Sequence, residues 1–196
     1  DLYNYGAISN YEIVFAGDQQ QTYSFNAAST FTSEKLSAVN STYPVVGATD
    51  LAMVGTIVNF DYRELHLMNG INLSMDGDYM YKTDLVGIAN NTVTFANDVY
   101  IEQVNITNVE VAGICEISGD LNTLEDVTIS GTIQPKNYTR TITFKGFLIN
   151  NGTLRNHPTS GSMIIDILGN MENNGEWSNY SVYMKGTTLQ DLSMTM

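Results

Sequence analysis

One short unit recurs along the chain: an apolar–polar–apolar triplet, one further residue, a Gly or Asn, and, after one intervening residue, another apolar side chain. Copies stand at 51–57, 65–71, 93–99, 115–121, 127–133, 142–148 and 165–171. Alternation with a period of two is the signature of a strand with one buried face, and Gly or Asn marks the point where the backbone bends. A chain built this way folds as many short strands that turn corners.

The repetition is sharper at two longer offsets. Residues 142–156 (ITFKGFLINNGTLRN) align without gaps on 165–179 (IDILGNMENNGEWSN), and their Asn-x-Gly-x-apolar-x-Asn core also occurs at 4–10. Asn-Gly is the preferred pair where turn residues need positive φ or the chain bends sharply. Residues 3–25 lie ungapped over 172–194, with eight identities: Asn4/Asn173, Gly6/Gly175, Ser9/Ser178, Asn10/Asn179, Tyr11/Tyr180, Gly17/Gly186, Gln21/Gln190 and Ser24/Ser193. Composition alone gives about one or two matches in such a window. Apolar positions keep step as well, as in Ile8/Trp177, Ile13/Val182 and Phe25/Met194. The chain therefore reads as one block, 1–196, of about one 169-residue period plus overlap, taken from a longer tandem array.

Twenty-one Thr, fourteen Ser, twenty-one Asn and twelve Tyr form a poor helix composition and a good one for strands joined by turns. Only 32–40 offers a brief helical turn. The expected fold is all-β, a single-stranded parallel β-helix (solenoid) with irregular coils, each strand stacked on its counterpart in the next coil. A coil of about 20 residues predicts roughly eight to ten coils. The alternative is an antiparallel β-sandwich, which also uses many short strands. Pro44, Pro135 and Pro158 are expected between strands, where no ladder bond is lost.

Twenty-one Asp and Glu against eight Lys and Arg give a net charge of −13, which repels phosphate backbones and anionic lipid surfaces. Nucleic acid is therefore not an expected partner. No stretch approaches the roughly 20 apolar residues of a membrane helix, so membrane insertion is not expected either. A lone cysteine, Cys115, makes no internal disulfide and alternates in phase with Ile117 as a small buried side chain.

The order of motifs resembles a known family. Phe31-x4-Leu36, the units at 51–57 and 65–73, the Asn-Asn-Gly-Thr/Glu-Leu/Trp-x-Asn repeats and Gly186-x3-Gln190-x2-Ser193 look like the long, low-complexity β-helical repeat proteins exported to the cell surface by bacteria of the Bacteroidetes type. In that family Asn-Asn-Gly-Thr-Trp-x-Asn precedes Gly-x-x-x-Gln-x-Ile-Ser. Tyr5, Asp191 and Leu192 depart from this pattern, and 79–88 has no clear counterpart. The resemblance implies a secreted or cell-surface, adhesin-like fibre or stalk. Its partners would be neighbouring repeats of the same chain, end-to-end copies, and surface glycans.

Chemistry-bearing constellations are thin. His66 alternates with Leu65 and Leu67 and is expected at the surface; His157 is the other imidazole. Phosphate loops, nucleophile elbows and paired-histidine motifs are missing from the sequence. Asp76, Asp78 and Asp84, and Asp120, Glu125 and Asp126, are acidic clusters in which solvated loop charge outweighs a calcium site. They are also the carboxylates a β-helical polysaccharide lyase or hydrolase would use. Lys136, Arg140 and Lys145 stand close together with no acidic pair adjoining them. Alternating Thr92/Thr94 and Thr139/Thr141/Thr143 do not recur as an ice-binding array would require. Tyr3, Tyr5, Tyr79, Tyr81, Tyr138 and Tyr180 could stack on sugars in a carbohydrate-binding module, whereas Trp177 matches core positions Ile8 and Leu154. Asn-x-Ser/Thr sequons stand at Asn40, Asn72, Asn90, Asn105, Asn137, Asn151 and Asn179, about half of them expected by chance. No catalytic, cofactor or metal residue is assigned, and a structural, adhesive role without catalysis is the expected function.

Overall fold

The computed structural model describes residues 1–26, 30–39 and 43–195. Among them there is no helix, and every strand pairing is parallel. The chain is a β-solenoid of about nine turns. At about 4.8 Å per turn the stack is roughly 40–45 Å long. The antiparallel sandwich is excluded by the pairing direction. The segment 32–40 is no helical turn: Thr30–Val39 is one strand, paired through nine positions with Ala7–Ala16, and Asn40 lies outside the described residues.

Three faces run the length of the stack. On the first, Val45, Leu65, Leu85, Ile106, Leu124, Phe144, Ile167 and Met184 form one column, each paired with the next. Steps of 17 to 23 residues along it show how unevenly the corners are looped. On the second face the column is Leu51, Leu73, Val93, Val111, Ile129, Asn150, Asn173 and Met194. The third carries Ile13, Leu36, Val58, Met80, Ile101, Ile117 and Pro135, beside Cys115, Ile133, Leu154 and Trp177. Pro135 is thus a core residue at the end of strand Thr132–Pro135, not a linker residue, and as the last strand position it need not donate to the ladder.

Eighteen of the twenty-one apolar positions in the seven sequence units are buried; Ile57, Ile71 and Leu121 are not. Ile57 and Leu121 point outward because the backbone changes phase beside them, at Gly55 (φ 64°) and at Leu121 itself (φ 65°), leaving Thr56 and Asn122 inside instead. Each fully buried Leu, Ile or Phe contributes about 1.5–3 kcal/mol, which makes this interior the main source of stability.

The Asn-x-Gly motif is a corner device. Gly6 N–H donates to Asn4 Oδ1 at 3.0 Å and Gly152 N–H to Asn150 Oδ1 at 3.2 Å, while Asn173 Nδ2 donates to the Gly175 carbonyl at 3.2 Å. Between coils, Asn150 Nδ2 donates to Asn173 Oδ1 at 2.5 Å, with both side chains buried. The motif glycines do not need positive φ; of the two uses of Asn-Gly, the sharp bend of a coil is the one found at these corners. At Gly152 and Gly175 the reason for glycine is close stacking: a Cβ on Gly175 would overlap the Gly152 carbonyl, and one on Gly152 that of Gly131.

Residues 3–25 and 172–194 repeat the same pairing register. Leu2 and Asn4 pair with Tyr23 and Phe25, as Met171 and Asn173 pair with Leu192 and Met194, every residue displaced by 169. The two stretches lie on different faces. Residues 2–4 and 23–25 extend the strands of the first-face column, whereas 171–173 and 192–194 belong to the second.

Gly152→Ala should lower stability by about 1–3 kcal/mol through overpacking against the neighbouring coil. Gly6→Ala, which meets nothing within 4 Å, should change it by less than about 0.5 kcal/mol. Thermal unfolding followed by circular dichroism distinguishes the two.

Candidate functional site

The outward side of the third face is the chemically densest surface. Strand alternation places one column of side chains there at Ile57, Tyr79, Tyr100, Glu116 and Gln134, and a second at Asn59, Tyr81 and Glu102. Parallel stacking brings Tyr79 and Tyr100 to 4.7 Å between ring centroids, and Tyr79 and Tyr81 stack at 5.8 Å. Tyr79 donates its hydroxyl to Glu102 Oε2 at 2.6 Å. Burial, and then this carboxylate, push the phenol pKa up, so the proton stays on oxygen. Gln134 joins the next coils, donating to Glu116 Oε1 at 3.0 Å and accepting from Arg155 Nε at 3.0 Å.

Cations gather on the same side. Lys136 Nζ sits 3.1 Å from the Tyr100 ring centroid, and Lys82 Nζ lies 4.9 Å from Tyr81 and 5.5 Å from Tyr62. Lys35 and Lys185, elsewhere on the stack, are ion-paired with Glu12 at 2.8 Å and with Asp166 at 2.7 Å. Lys82, Lys136 and Arg155 have no carboxylate within 4.0 Å among the described residues. Arg140, at the following corner, stacks over Tyr138 at 5.7 Å, and its buried Nε has no hydrogen-bond partner among them. Lys145 is exposed on the first face and stands apart. The sequence left this basic group without acidic neighbours; in the fold Glu116 of the adjacent coil pairs with Gln134, and among the described residues no carboxylate comes within 4.0 Å of Lys136, Arg140 or Lys145.

His157 closes a loop beside these cations. Its N–H donates to the Gly161 carbonyl at 2.9 Å, and Nδ1 lies 2.8 Å from Ser160 Oγ and accepts from Thr159 N–H at 3.2 Å. Nε2 is 3.9 Å from Glu116 Oε1, beyond hydrogen-bond reach, and that oxygen already accepts from Gln134. A serine triad needs the base hydrogen-bonded to its orienting carboxylate, and this geometry does not supply that bond.

The acidic clusters are divided among coil-to-coil caps. Asp120 accepts from Thr141 N–H at 3.3 Å, Asp126 from Phe147 N–H at 2.8 Å, Asp84 from Asn105 Nδ2 at 2.7 Å and Asp76 from Asn97 Nδ2 at 3.0 Å. Asp1, Asp50 and Asn72 likewise accept backbone N–H bonds from the next coil. Asp78 overturns the reading as loop charge: it is fully buried, and its two oxygens accept from the backbone N–H groups of Thr56 and Asp76. Burial outweighs those two donors and pushes its carboxyl up to about 6. No group of three His, Cys, Asp or Glu among the described residues is placed to hold a metal ion.

Other predicted positions scatter. Tyr3, Tyr5, Tyr138 and Tyr180 are exposed and separate from the stacked tyrosines. Trp177 packs on the core in the Leu154 column, as its alignment indicated, and Cys115 is buried with its thiol pKa pushed up by desolvation. His66 is outward-facing and pairs with Glu64 at 2.7 Å. Thr123 and Thr143 stack, but the column runs on to Asp166, so no threonine array forms. Among the sequons, Asn90, Asn105 and Asn151 are exposed, whereas Asn72 and Asn179 use their side chains at corners. A groove of about 710 Å³ lies between Phe25, Phe31, Leu51 and Ile71.

Sequence reasoning found Tyr79 and Tyr81 but missed Tyr100, Glu102, Glu116, Gln134 and Arg155 as their neighbours. The available signal was spacing: Tyr79-x-Tyr81 and Tyr100-x-Glu102 are one coil, 21 residues, apart. Comparison with protein-family models, with curated proteins and with solved structures gives no match.

Asp78 generates a pH prediction. Its folded pKa lies above the ordinary value of 3.8, so its contribution is full below that value and is lost as pH rises through about 6. The melting temperature should fall between about pH 4 and 6, and Asp78→Asn should flatten that slope. An unchanged slope in the variant would assign the pH dependence to other groups.

Proposed function

We propose that this chain is a structural, adhesive block of an exported, acidic, repeat-built fibre at a cell surface, with no catalytic role. The observation that carries this reading is the shared register at offset 169. Leu2/Tyr23 and Asn4/Phe25 have the same partners, displaced, as Met171/Leu192 and Asn173/Met194. A stack whose first and last coils are alike can be extended by another unit without a new kind of contact.

The last described coil supports the same reading. Val182, Met184, Leu192 and Met194 occupy core columns, yet their exposures run from 39% to 53%. In a fibre this apolar end would be covered by the next unit of the array or by the end of a second copy, with the open strand edges continuing the ladder. Because the equivalent stretches lie one face apart, each 169-residue unit would turn by one face relative to the last. Surface features would then wind around the fibre, returning to the same direction after three units. The family resemblance and the acidic surface, which resists non-specific collapse between neighbouring fibres, favour export to the surface.

The test is sedimentation velocity together with negative-stain electron microscopy over a concentration series. End-to-end rods are expected, and Met184→Lys with Met194→Lys should abolish them by placing charges on the apolar end. A monodisperse monomer at every concentration would contradict the proposal.

A further inference from the structure

We propose that the outward strip of the third face binds an extended polyuronate, an anionic glycan carrying about one carboxylate per sugar, laid parallel to the solenoid axis. The inference stands apart from the fibre reading, since it uses only groups within a single chain.

Charge distribution carries the first step. Acidic residues outnumber basic ones by 21 to 8, yet among the described residues only Lys35 and Lys185 of the eight basic side chains have a carboxylate within 4.0 Å. Three of the other six, Lys82, Lys136 and Arg155, stand along one strip. Holding unpaired cations in line on an acidic protein leaves them available to an external anion. Lys136 is also fixed in place, with its ammonium against the Tyr100 ring. Such a pre-positioned group loses little side-chain freedom on binding.

The neighbouring groups select the kind of anion. Tyr79, Tyr81 and Tyr100 form a half-buried aromatic stack, its faces turned toward one another and toward Lys136 and Lys82, which gives the cations an apolar flank for the C–H groups of a sugar. Glu102 adds an acceptor beside the cations, while the buried Glu116–Gln134 pair holds Arg155 in place from beneath. Hydroxyl groups flanking a carboxylate can use both kinds of partner. A nucleic-acid strand carries a comparable charge but offers no hydroxyl-rich face to the acceptor beside the cations. Geometry sets the direction: equivalent side chains recur about every 4.8 Å along the axis. Successive sugars of an extended chain can therefore meet successive coils, whereas a compact ligand would engage only one or two.

The experiment is isothermal titration calorimetry of the whole chain, dilute enough to remain unassociated, with polygalacturonate, neutral dextran and single-stranded DNA. Polygalacturonate should bind and weaken as salt rises. Lys136→Ala combined with Arg155→Ala should weaken it at least tenfold, and Tyr100→Ala several-fold. Lys145→Ala, which removes one charge from the first face, should change it less than twofold. Circular dichroism confirms that each variant is folded, and the lysine and arginine changes carry the test if Tyr100→Ala is not. Absence of polygalacturonate binding, equal binding of dextran or DNA, or an equal loss in Lys145→Ala would each overturn the proposal. Such a failure leaves end-to-end association untouched, because that is read separately by sedimentation.

Discussion

A parallel coil cannot satisfy its backbone by itself; every ladder hydrogen bond goes to the coil above or below. That requirement governs the rest of this structure. Along the three faces the ladder is continuous and the alternating apolar residues close over one interior. At the corners the ladder breaks and side chains take over. Asp50, Asp120, Asp126 and Asn72 accept backbone N–H bonds from the following coil, and Asn122 and Asp78 accept from the preceding one. Gln190 does the same work for the Gly-x-x-x-Gln motif, accepting from Gly186 N–H and donating to the carbonyls of Ile167 and Gly169. Acidity in this protein is thus partly architectural, since a carboxylate is an acceptor that the backbone N–H groups of an open corner can use.

Glycine meets a second demand of the same geometry. Between the second and third faces, coils approach so closely that Gly113, Gly131, Gly152 and Gly175 succeed one another with backbone packed on backbone. Positive φ occurs in the same column at Gly113 (φ 74°) and elsewhere at residues such as Asp126, Asn108 and Leu121, which turn other corners. At Gly131, Gly152 and Gly175 close approach alone demands glycine, although Asn and Gly look interchangeable in the repeat unit.

The fold was largely legible because period-two alternation and internal repetition are properties of the chain itself. Parallel stacking followed from the recurrence of the unit, and burial of Ile142, Phe144 and Leu148 followed from alternation alone. Phase changes were not legible: nothing in 55–57 announces that Thr56 turns inward and Ile57 outward, because a single positive φ at Gly55 reverses the alternation. Strand 30–39 resembled a helical turn because Glu34, Lys35 and Leu36 have helical propensity, which stacking between 7–16 and 57–59 overrides. The surface strip was half legible for a related reason. Tyr79 and Tyr81 are neighbours in the chain, whereas Tyr100, Glu116, Gln134 and Arg155 become neighbours only once coil length fixes the register. Asp78 was misread because a short Asp-Gly-Asp run looks like solvated turn charge until the buried N–H groups it serves are known.

Everything proposed for the fibre depends on treating the first and last coils as the same rung, one face apart. Cryo-electron microscopy of a fused chain, residues 1–171 followed directly by 3–196, measures this directly. The account predicts one uninterrupted solenoid in which the stacked tyrosines of the second unit are rotated by one face from those of the first. Two separate bodies joined by a disordered link, or a second unit with its tyrosines directly in line with the first, would contradict it.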